Sequence, residues 1–395
     1  LVIDGNQADD EISQITKLLR RTNPMKPTIQ LAGLFLAFLS ASCMTRMETI
    51  PSGSGPEDLS PVRVNGRDGI LTGTANRRAA QFGFLNPQGA LELHVPGRDS
   101  GFRKIFPQDN HASFRFVPTG ICTVRETGGG NGDQLVYVAN TAPNKSKCGG
   151  GSVEVFRLAG ENATYLGRLG QEELPVSPNG IAVAPDGSVY VSSFLIYPTG
   201  KDDPHIVPPG NSDSNDNSIY CFRPDSGSLL KGRWTKVACG FDGLNGLALD
   251  SDGGRLLACS YHANTVWMLE RDAGNGRLTG TRTVLLKDLD FHPDNLKHLG
   301  NNRFTVGGQK SLPATLLNIA TWLPVSPGGA VEFTLGKRGA MDVVDLTNAM
   351  GSDGKAPTTA VRIGGAVFFG HVFAAGVSKM DGAAGVKSRT TSAAR

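Results

Sequence analysis

A strand–turn–strand unit that recurs at intervals of about 60 residues constrains this chain more than any other feature. Residues 177–192 read S-P-N-G-I-A-V-A-P-D-G-S-V-Y-V-S, and residues 243–258 read G-L-N-G-L-A-L-D-S-D-G-G-R-L-L-A. Each opens on Asn-Gly, runs through a short apolar strand and turns at an Asp-Gly of the tight-hairpin kind. A third copy, L-D-F-H-P-D-N-L-K-H at 289–298, leads through a G-N-N turn into the strand-like run Arg303–Val306. Other units start at Glu57, in G-P-E-D-L-S-P, and at Thr119, in P-T-G-I; a sixth is drawn from A-V-R-I-G-G-A-V-F-F-G at 360–370. The starts at Glu57, Thr119, Asn179, Asn245 and Asp294 lie 62, 60, 66 and 49 residues apart. About four short strands per unit, repeated about six times, predicts an all-β fold, a six-bladed β-propeller. The best helical stretch, Pro313–Leu323, is short enough to be an excursion within the fifth blade.

The 51 glycines suit a turn-rich chain, and 395 residues suffice for one large unit. A net charge of only +3, with both signs well mixed, gives no indication of a nucleic-acid partner. Six cysteines (Cys43, Cys122, Cys148, Cys221, Cys239, Cys259) include no C-x-x-C pair, so zinc and dithiol chemistry are weak readings. In an exported chain Cys221 and Cys239, on successive predicted strands, make the best disulfide pair; buried thiols are the alternative.

The N-terminal region divides into three. Residues 1–24 are polar and read as an upstream artefact, with translation starting at Met25. Residues 25–43 run from Met25-Lys26 through the apolar stretch Ile29–Leu39 to Ser40-Ala41-Ser42 before Cys43, the order of a secretory signal. The apolar core is short for a bilayer span, and Ser40 stands where a bacterial lipobox has Leu. Export to the periplasm or outside the cell is the expectation; a lipid or uncleaved anchor and a cytosolic chain are the alternatives. Any membrane association would run through this segment alone. Residues 44–56 read as a linker, 57–380 as the propeller and 381–395 as a disordered tail.

In a propeller the innermost strand of each blade lines the channel, so the residues at the blade starts face one axis. Glu57, Asn179, Asn245, Asp294 and Asn295 offer carboxylate and amide oxygens with no imidazole or thiolate. That set suits Ca2+ better than Mg2+ or Mn2+. Such an ion polarises a carbonyl or phosphoryl oxygen and lowers the pKa of a bound water. An Asn-Gly is ordinarily just a turn. Here Asp186 and Asp252 already supply the turns, which leaves Asn179 and Asn245 for another role.

The segments G-P-E-D-L, V-S-P-N-G-I, F-D-G-L-N-G-L and L-D-F-H-P-D-N-L follow in the order found in the paraoxonase/arylesterase family. The resemblance extends over roughly Glu57 to Ser378. That family is similar in fold to gluconolactonases and strictosidine-synthase-like proteins. The resemblance implies a channel calcium held by Glu57, Asn179, Asn245, Asp294 and Asn295, and hydrolysis of lactones, aryl esters or phosphotriesters there. The chain departs from the family in several places. Thr119 and Asn140-Thr141 stand where the family carries its two histidines, so the implied base is a carboxylate, Asp294, with His292 or His262 as outside candidates. A second, structural calcium in the family implies Asp58 and the Ile121 carbonyl as ligands. Its third ligand is an Asp where this chain has Gly180, which leaves that site short of charge; one tightly held calcium per chain is the expectation, and an aspartate introduced at Gly180 should restore the second. Cys43 could start the family's terminal bridge, but no cysteine follows Cys259. Two further readings stay open: a propeller that binds a ligand without turnover, and a strictosidine-synthase-like non-hydrolytic enzyme.

Overall fold

The computed structural model describes residues 47–77, 88–108, 114–126, 132–141, 151–170, 174, 177–194, 217–272, 274–321, 326–337, 339–347, 355 and 357–382. Residues 1–24, the segment 25–43, all but the last residue of the polar loop 197–217 (which the sequence suggests as the roof of the channel) and the tail from 383 onward lie outside them.

Among the described residues, twenty-four strands form six four-stranded antiparallel sheets, each a blade of a six-bladed propeller. The first blade holds β2 (Asp58–Val64), β3 (Arg67–Thr74), β4 (Ala90–His94) and β5 (Arg103–Phe106). The second holds β6 (Pro118–Arg125), β7 (Gln134–Asn140), β8 (Ser152–Ala159) and β9 (Asn162–Arg168). The third holds β10 (Pro178–Val183), β11 (Val189–Ser193), β12 (Ile219–Pro224) and β13 (Gly232–Ala238). The fourth holds β14 (Leu244–Leu249), β15 (Arg255–Ser260), β16 (Thr265–Arg271) and β17 (Leu278–Leu286). The fifth holds β18 (His292–His298), β19 (Arg303–Gln309), β20 (Gly328–Leu335) and β21 (Ala340–Asp345). The sixth takes β22 (Pro357–Ile363), β23 (Ala366–His371) and β24 (Ala375–Asp381) from the end of the chain and β1 (Glu48–Ser54) from its beginning. Helix α1 (Leu312–Thr321) lies between β19 and β20, inside the fifth blade as expected.

The turns follow from local chemistry. Gly187 and Gly253, the glycines of the two Asp-Gly turns, have φ of 81° and 68°. Asn65-Gly66 between β2 and β3 and Asn301-Asn302 between β18 and β19 also take positive φ, the backbone that tight hairpins need. Between the turns, Val, Ile, Leu, Phe and Tyr bury both faces of most strands. The described core divides into six apolar clusters, one at each junction between neighbouring blades. Stability is thus distributed around the ring, and the ring holds only if its last junction closes.

That closure corrects the reading of 44–56 as a linker. β1 lies within it and pairs antiparallel with β24, Glu48 opposite Lys379 and Ile50 opposite Val377. Ile50 is buried against Leu59 and Ile70 of the first blade and Val361, Phe368 and Val377 of the sixth. Asp381 likewise belongs to β24 rather than to a tail.

The Cys221–Cys239 bridge is also corrected: neither cysteine forms a disulfide. Register is the reason. Cys221 stands opposite Thr235 in the β12–β13 pair, so Cys239 lies four residues further along. At about 3.3 Å per residue, that offset far exceeds the Cα separation a disulfide tolerates.

Ile50→Ala removes the apolar anchor of the closing strand. It should destabilise the chain by about 2–4 kcal/mol in urea unfolding, with the cost lying in closure of the ring.

Candidate metal centre

The inner strands β2, β6, β10, β14, β18 and β22 each touch the next, and β22 touches β2, so they close a ring around the channel. From the second blade to the sixth, each inner strand begins with a register shift against its neighbour. The shifts fall between Pro118 and Ile121, Pro178 and Ile181, Leu244 and Leu247, Pro293 and Leu296, and Pro357 and Thr359. A bulge of this kind re-aims side chains and ends regular pairing. The residues inside the shifts are Thr119-Gly120, Asn179-Gly180, Asn245-Gly246, Asp294-Asn295 and Thr358.

The glycines are there for contact between blades. A Cβ on Gly120 would fall 2.0 Å from the Asn179 carbonyl oxygen, on Gly180 2.4 Å from that of Asn245, and on Gly246 2.4 Å from that of Asp294. Consecutive blades therefore meet backbone to backbone at their starts. Gly180→Asp, expected from the sequence to restore a metal ligand, would force a side chain into that contact.

All five oxygen-bearing residues are buried: Glu57, Asn179, Asn245, Asp294 and Asn295. Asn295 Nδ2 reaches the Glu57 carbonyl oxygen at 3.5 Å, the Asn245 side chain hydrogen-bonds Asp294, and the Glu57 charge bears on Asp294. Three side-chain oxygens, Asn179 Oδ1, Asn245 Oδ1 and Asp294 Oδ1, are buried with no hydrogen-bond donor, while Glu57 Oε2 faces only the Arg77 guanidinium. Unmatched acceptors cost about 1–3 kcal/mol each, so three from three successive blades is a costly arrangement unless a cation completes it. The set of hard oxygens at the blade starts fits an ion of the calcium type. Thr119 and Thr358, at the starts of the other two blades, donate instead to carbonyls: Thr119 Oγ1 to Pro178 O at 3.1 Å, Thr358 Oγ1 to Glu57 O at 2.5 Å.

Charge at the axis is unevenly matched. Burial pushes the Asp294 carboxyl well above its ordinary value, and the neighbouring Glu57 charge adds to the rise. Burial raises Glu57 too, with Arg77 pulling it back. Arg77, which follows β3, sets Nε 2.5 Å from Glu57 Oε2 and donates its remaining nitrogens to the Gly55 and Pro118 carbonyls. Asp294 is held by amides: Gln309 Nε2 donates to its Oδ2 at 3.0 Å, and Tyr261 Oη donates to Gln309 Oε1 at 2.7 Å. His292 stacks on Tyr261, ring centroids 4.9 Å apart, with Nδ1 3.1 Å from the Tyr261 carbonyl oxygen. A carbonyl only accepts, so Nδ1 carries the proton and Nε2 the lone pair. Burial lowers the His292 pKa, which keeps the ring neutral. His262 packs edge-on against both rings.

Asp58 and Ile121 meet a protein cation. The Lys297 ammonium donates to Asp58 Oδ2 and, at 2.8 Å, to the Ile121 carbonyl oxygen. The Leu59 and Ile121 amides donate to Asp58 at 3.0 and 2.7 Å. Where the resemblance implied ligands of a second metal, a lysine from the fifth blade thus bridges the first and second. Lys297 had a sequence signal that went unread, since it stands two residues after Asn295, and alternation puts both on one face of β18. Arg77 and Gln309 carried none. Arg77 belongs to no repeat, and Gln309 reaches the site only through its pairing opposite His292.

No protein-family model matches the chain, and no curated protein matches it. Solved structures match across most of its length. A luciferin-regenerating enzyme aligns at 11% identity over 87% of this chain and 98% of its own, with a TM-score of 0.50. A candidate gluconolactonase aligns at 15% over 90% and 97% (TM-score 0.47), and a calcium-binding regucalcin from Agrobacterium tumefaciens at 12% over 87% and 93% (0.44). An aldose sugar dehydrogenase and a glucose dehydrogenase align at 12% and 13% identity, with TM-scores of 0.45 and 0.48. None of these five is a paraoxonase. At such identities the likeness shows the six-bladed fold and leaves the chemistry to the site.

Lys297→Met leaves the Asp58 carboxylate buried without its cation, and should destabilise the chain by about 3–5 kcal/mol. Adding Asp58→Asn should recover part of that loss in the same denaturant titration.

The raised Asp294 pKa makes a second prediction. A carboxyl that binds its proton more tightly folded than unfolded costs stability progressively as pH rises through the interval between its unfolded and folded values. At neutral pH and in chelator, Asp294→Asn should therefore raise the melting temperature above that of the parent. Calcium should narrow or reverse the difference.

Proposed function

We propose that the chain is a calcium-dependent hydrolase of lactones or aryl esters, with phosphotriesters as further substrates, acting at the channel end of the blade starts. The observation that carries this reading is the group of three donorless oxygens contributed by Asn179, Asn245 and Asp294, together with the Glu57 carboxylate that bears on Asp294. Together with Asn295 they would hold the ion, which when bound polarises the substrate carbonyl.

The chain's own residues do the rest. Gln309, fixed by Tyr261, holds Asp294 Oδ2 and leaves Oδ1 for the reaction side. Hydrolysis adds water across the acyl C–O bond, so one proton leaves the attacking water and one reaches the departing oxygen. Asp294 is the group placed to take the first proton. His292 Nε2 is the second base available, since Nδ1 already serves the Tyr261 carbonyl. The surrounding burial keeps bulk water from these carboxyls.

The same reading has the chain exported on residues 25–43, secreted or periplasmic, with a small ester or lactone as its partner and membrane attachment only through that segment. N-terminal sequencing of the secreted protein tests it, since an exported chain should begin near residue 44.

One observation favours a second reading, a propeller that binds its ligand without turnover. The Arg77 guanidinium beside Glu57 already supplies one cation to the site.

A panel of lactones and aryl esters, assayed with and without calcium, separates the two. Chelator should abolish turnover, and calcium should restore it better than zinc. Asp294→Asn should lower kcat about 100-fold or more, and Asn179→Ala should weaken calcium binding in calorimetry. Full turnover in excess chelator would sink the metal reading, and calcium binding without turnover of any substrate would favour the second.

A further inference from the structure

The far end of the channel holds a cavity of about 680 Å3 that the metal centre does not use. Its walls come from the later residues of the inner strands of five blades, among them Ile121, Val124, Ile181, Val183, Leu247 and Leu296. None of the five oxygen-bearing residues lines it. It lies beyond the cross-axis tie of Lys297 to Asp58 and Ile121, with Lys297 in its lining.

The polar groups around this cavity are largely satisfied by one another. Glu126 takes two hydrogen bonds from Arg157, Asp250 takes the Arg255 side chain and two backbone amides, and Ser60 pairs with Thr123. Aliphatic side chains from the inner strands make up the larger part of the wall, and small-molecule sites are mostly apolar with a few placed polar groups. The volume falls in the range of small-molecule sites. Tyr137, the Ser251–His298 pair and Arg125, which is exposed to solvent, also line the space, and among the buried lining groups Lys297 carries the positive charge. Lys297 has three N–H donors, and two are placed on Asp58 and Ile121. Because Asp58 already balances its charge, an anion would lose its hydration here without gaining a net ion pair.

We infer that this cavity is a second ligand site, for an uncharged, largely apolar molecule bearing one acceptor oxygen that takes the third Lys297 hydrogen. It is independent of the metal and of any hydrolysis, so its test reads neither.

The probe is Prodan, an uncharged naphthalene with a ketone, titrated into the full-length chain and followed by its emission. Binding should saturate at one equivalent, shift the emission to the blue, and be indifferent to calcium or chelator. The anionic probe 1-anilinonaphthalene-8-sulfonate should bind more weakly. Val124→Trp and Val183→Trp, at half-buried wall positions of two different blades, should each weaken Prodan about tenfold or more by filling the volume. Melting curves would establish that the variants fold. In the unmodified chain, an uncharged diazirine ketone should cross-link within 121–125 or 181–187, mapped by peptide mass. The assignment is overturned by absence of saturable binding, by binding that folded tryptophan variants leave intact, by cross-links confined elsewhere, by preference for the anionic probe, or by displacement with calcium.

Discussion

The contact on which the rest depends is the backbone-to-backbone approach of neighbouring blades at Gly120, Gly180 and Gly246. A side chain at any of the three would collide with the next blade's carbonyl. That approach brings the starts of the inner strands close enough for short side chains to share one small volume. It also explains why the residue before each glycine is small and oxygen-bearing: Thr119, Asn179, Asn245. In the fifth blade Asn295 takes the glycine's place, and close approach moves to Gly307, whose Cβ would meet the Thr359 backbone at 2.9 Å. The fifth blade can thus contribute two polar side chains from its bulge, Asp294 and Asn295, where the second, third and fourth contribute one.

Packing so many oxygens at an axis creates a charge problem, and the structure solves it unevenly. Asp58 is served in full by the Lys297 ammonium and two backbone amides. Glu57 shares the Arg77 guanidinium, which also spends donors on Gly55 and Pro118. Asp294 receives only the neutral amides of Gln309 and Asn245. Three carboxylates therefore stand against two protein cations, and the uncompensated charge settles on Asp294, which Asn245 touches and whose Oδ1 has no donor. Amides orient a carboxylate but do not offset the cost of burying its charge.

The architecture was legible because blade repetition writes itself into the chain. The Asp-Gly turns, the spacing of the starts and the placement of a helix inside the fifth blade all rest on local chemistry, and the structure agrees with each. The starts themselves were legible for the same reason. What escaped were partners that meet only in three dimensions. Arg77 reaches Glu57 and Pro118 from outside any repeat, and Gln309 reaches Asp294 through strand register. The linker reading of 44–56 failed because a strand that closes a ring has no neighbour in sequence; its partner β24 begins more than 300 residues later. The Cys221–Cys239 pairing failed because adjacency of strands says nothing about register.

One pattern accounts for both ends of the channel. In the second to fifth blades the residue after the bulge is Ile121, Ile181, Leu247 or Leu296, and each packs into the cluster between its blade and a neighbour. The bulge therefore acts as a switch in side-chain direction. Before it, the strand gives an oxygen to the axis; after it, the strand gives an aliphatic wall to the interface and to the cavity beyond. Without the shift, regular alternation would leave oxygen and aliphatic positions two residues apart on one face, mixing the two environments along the whole channel. With it, the donorless oxygens stay together at the start and the apolar walls together at the far end. Lys297 stands at the boundary, a charged group whose partner Asp58 belongs to the polar end and whose chain emerges among the aliphatic residues.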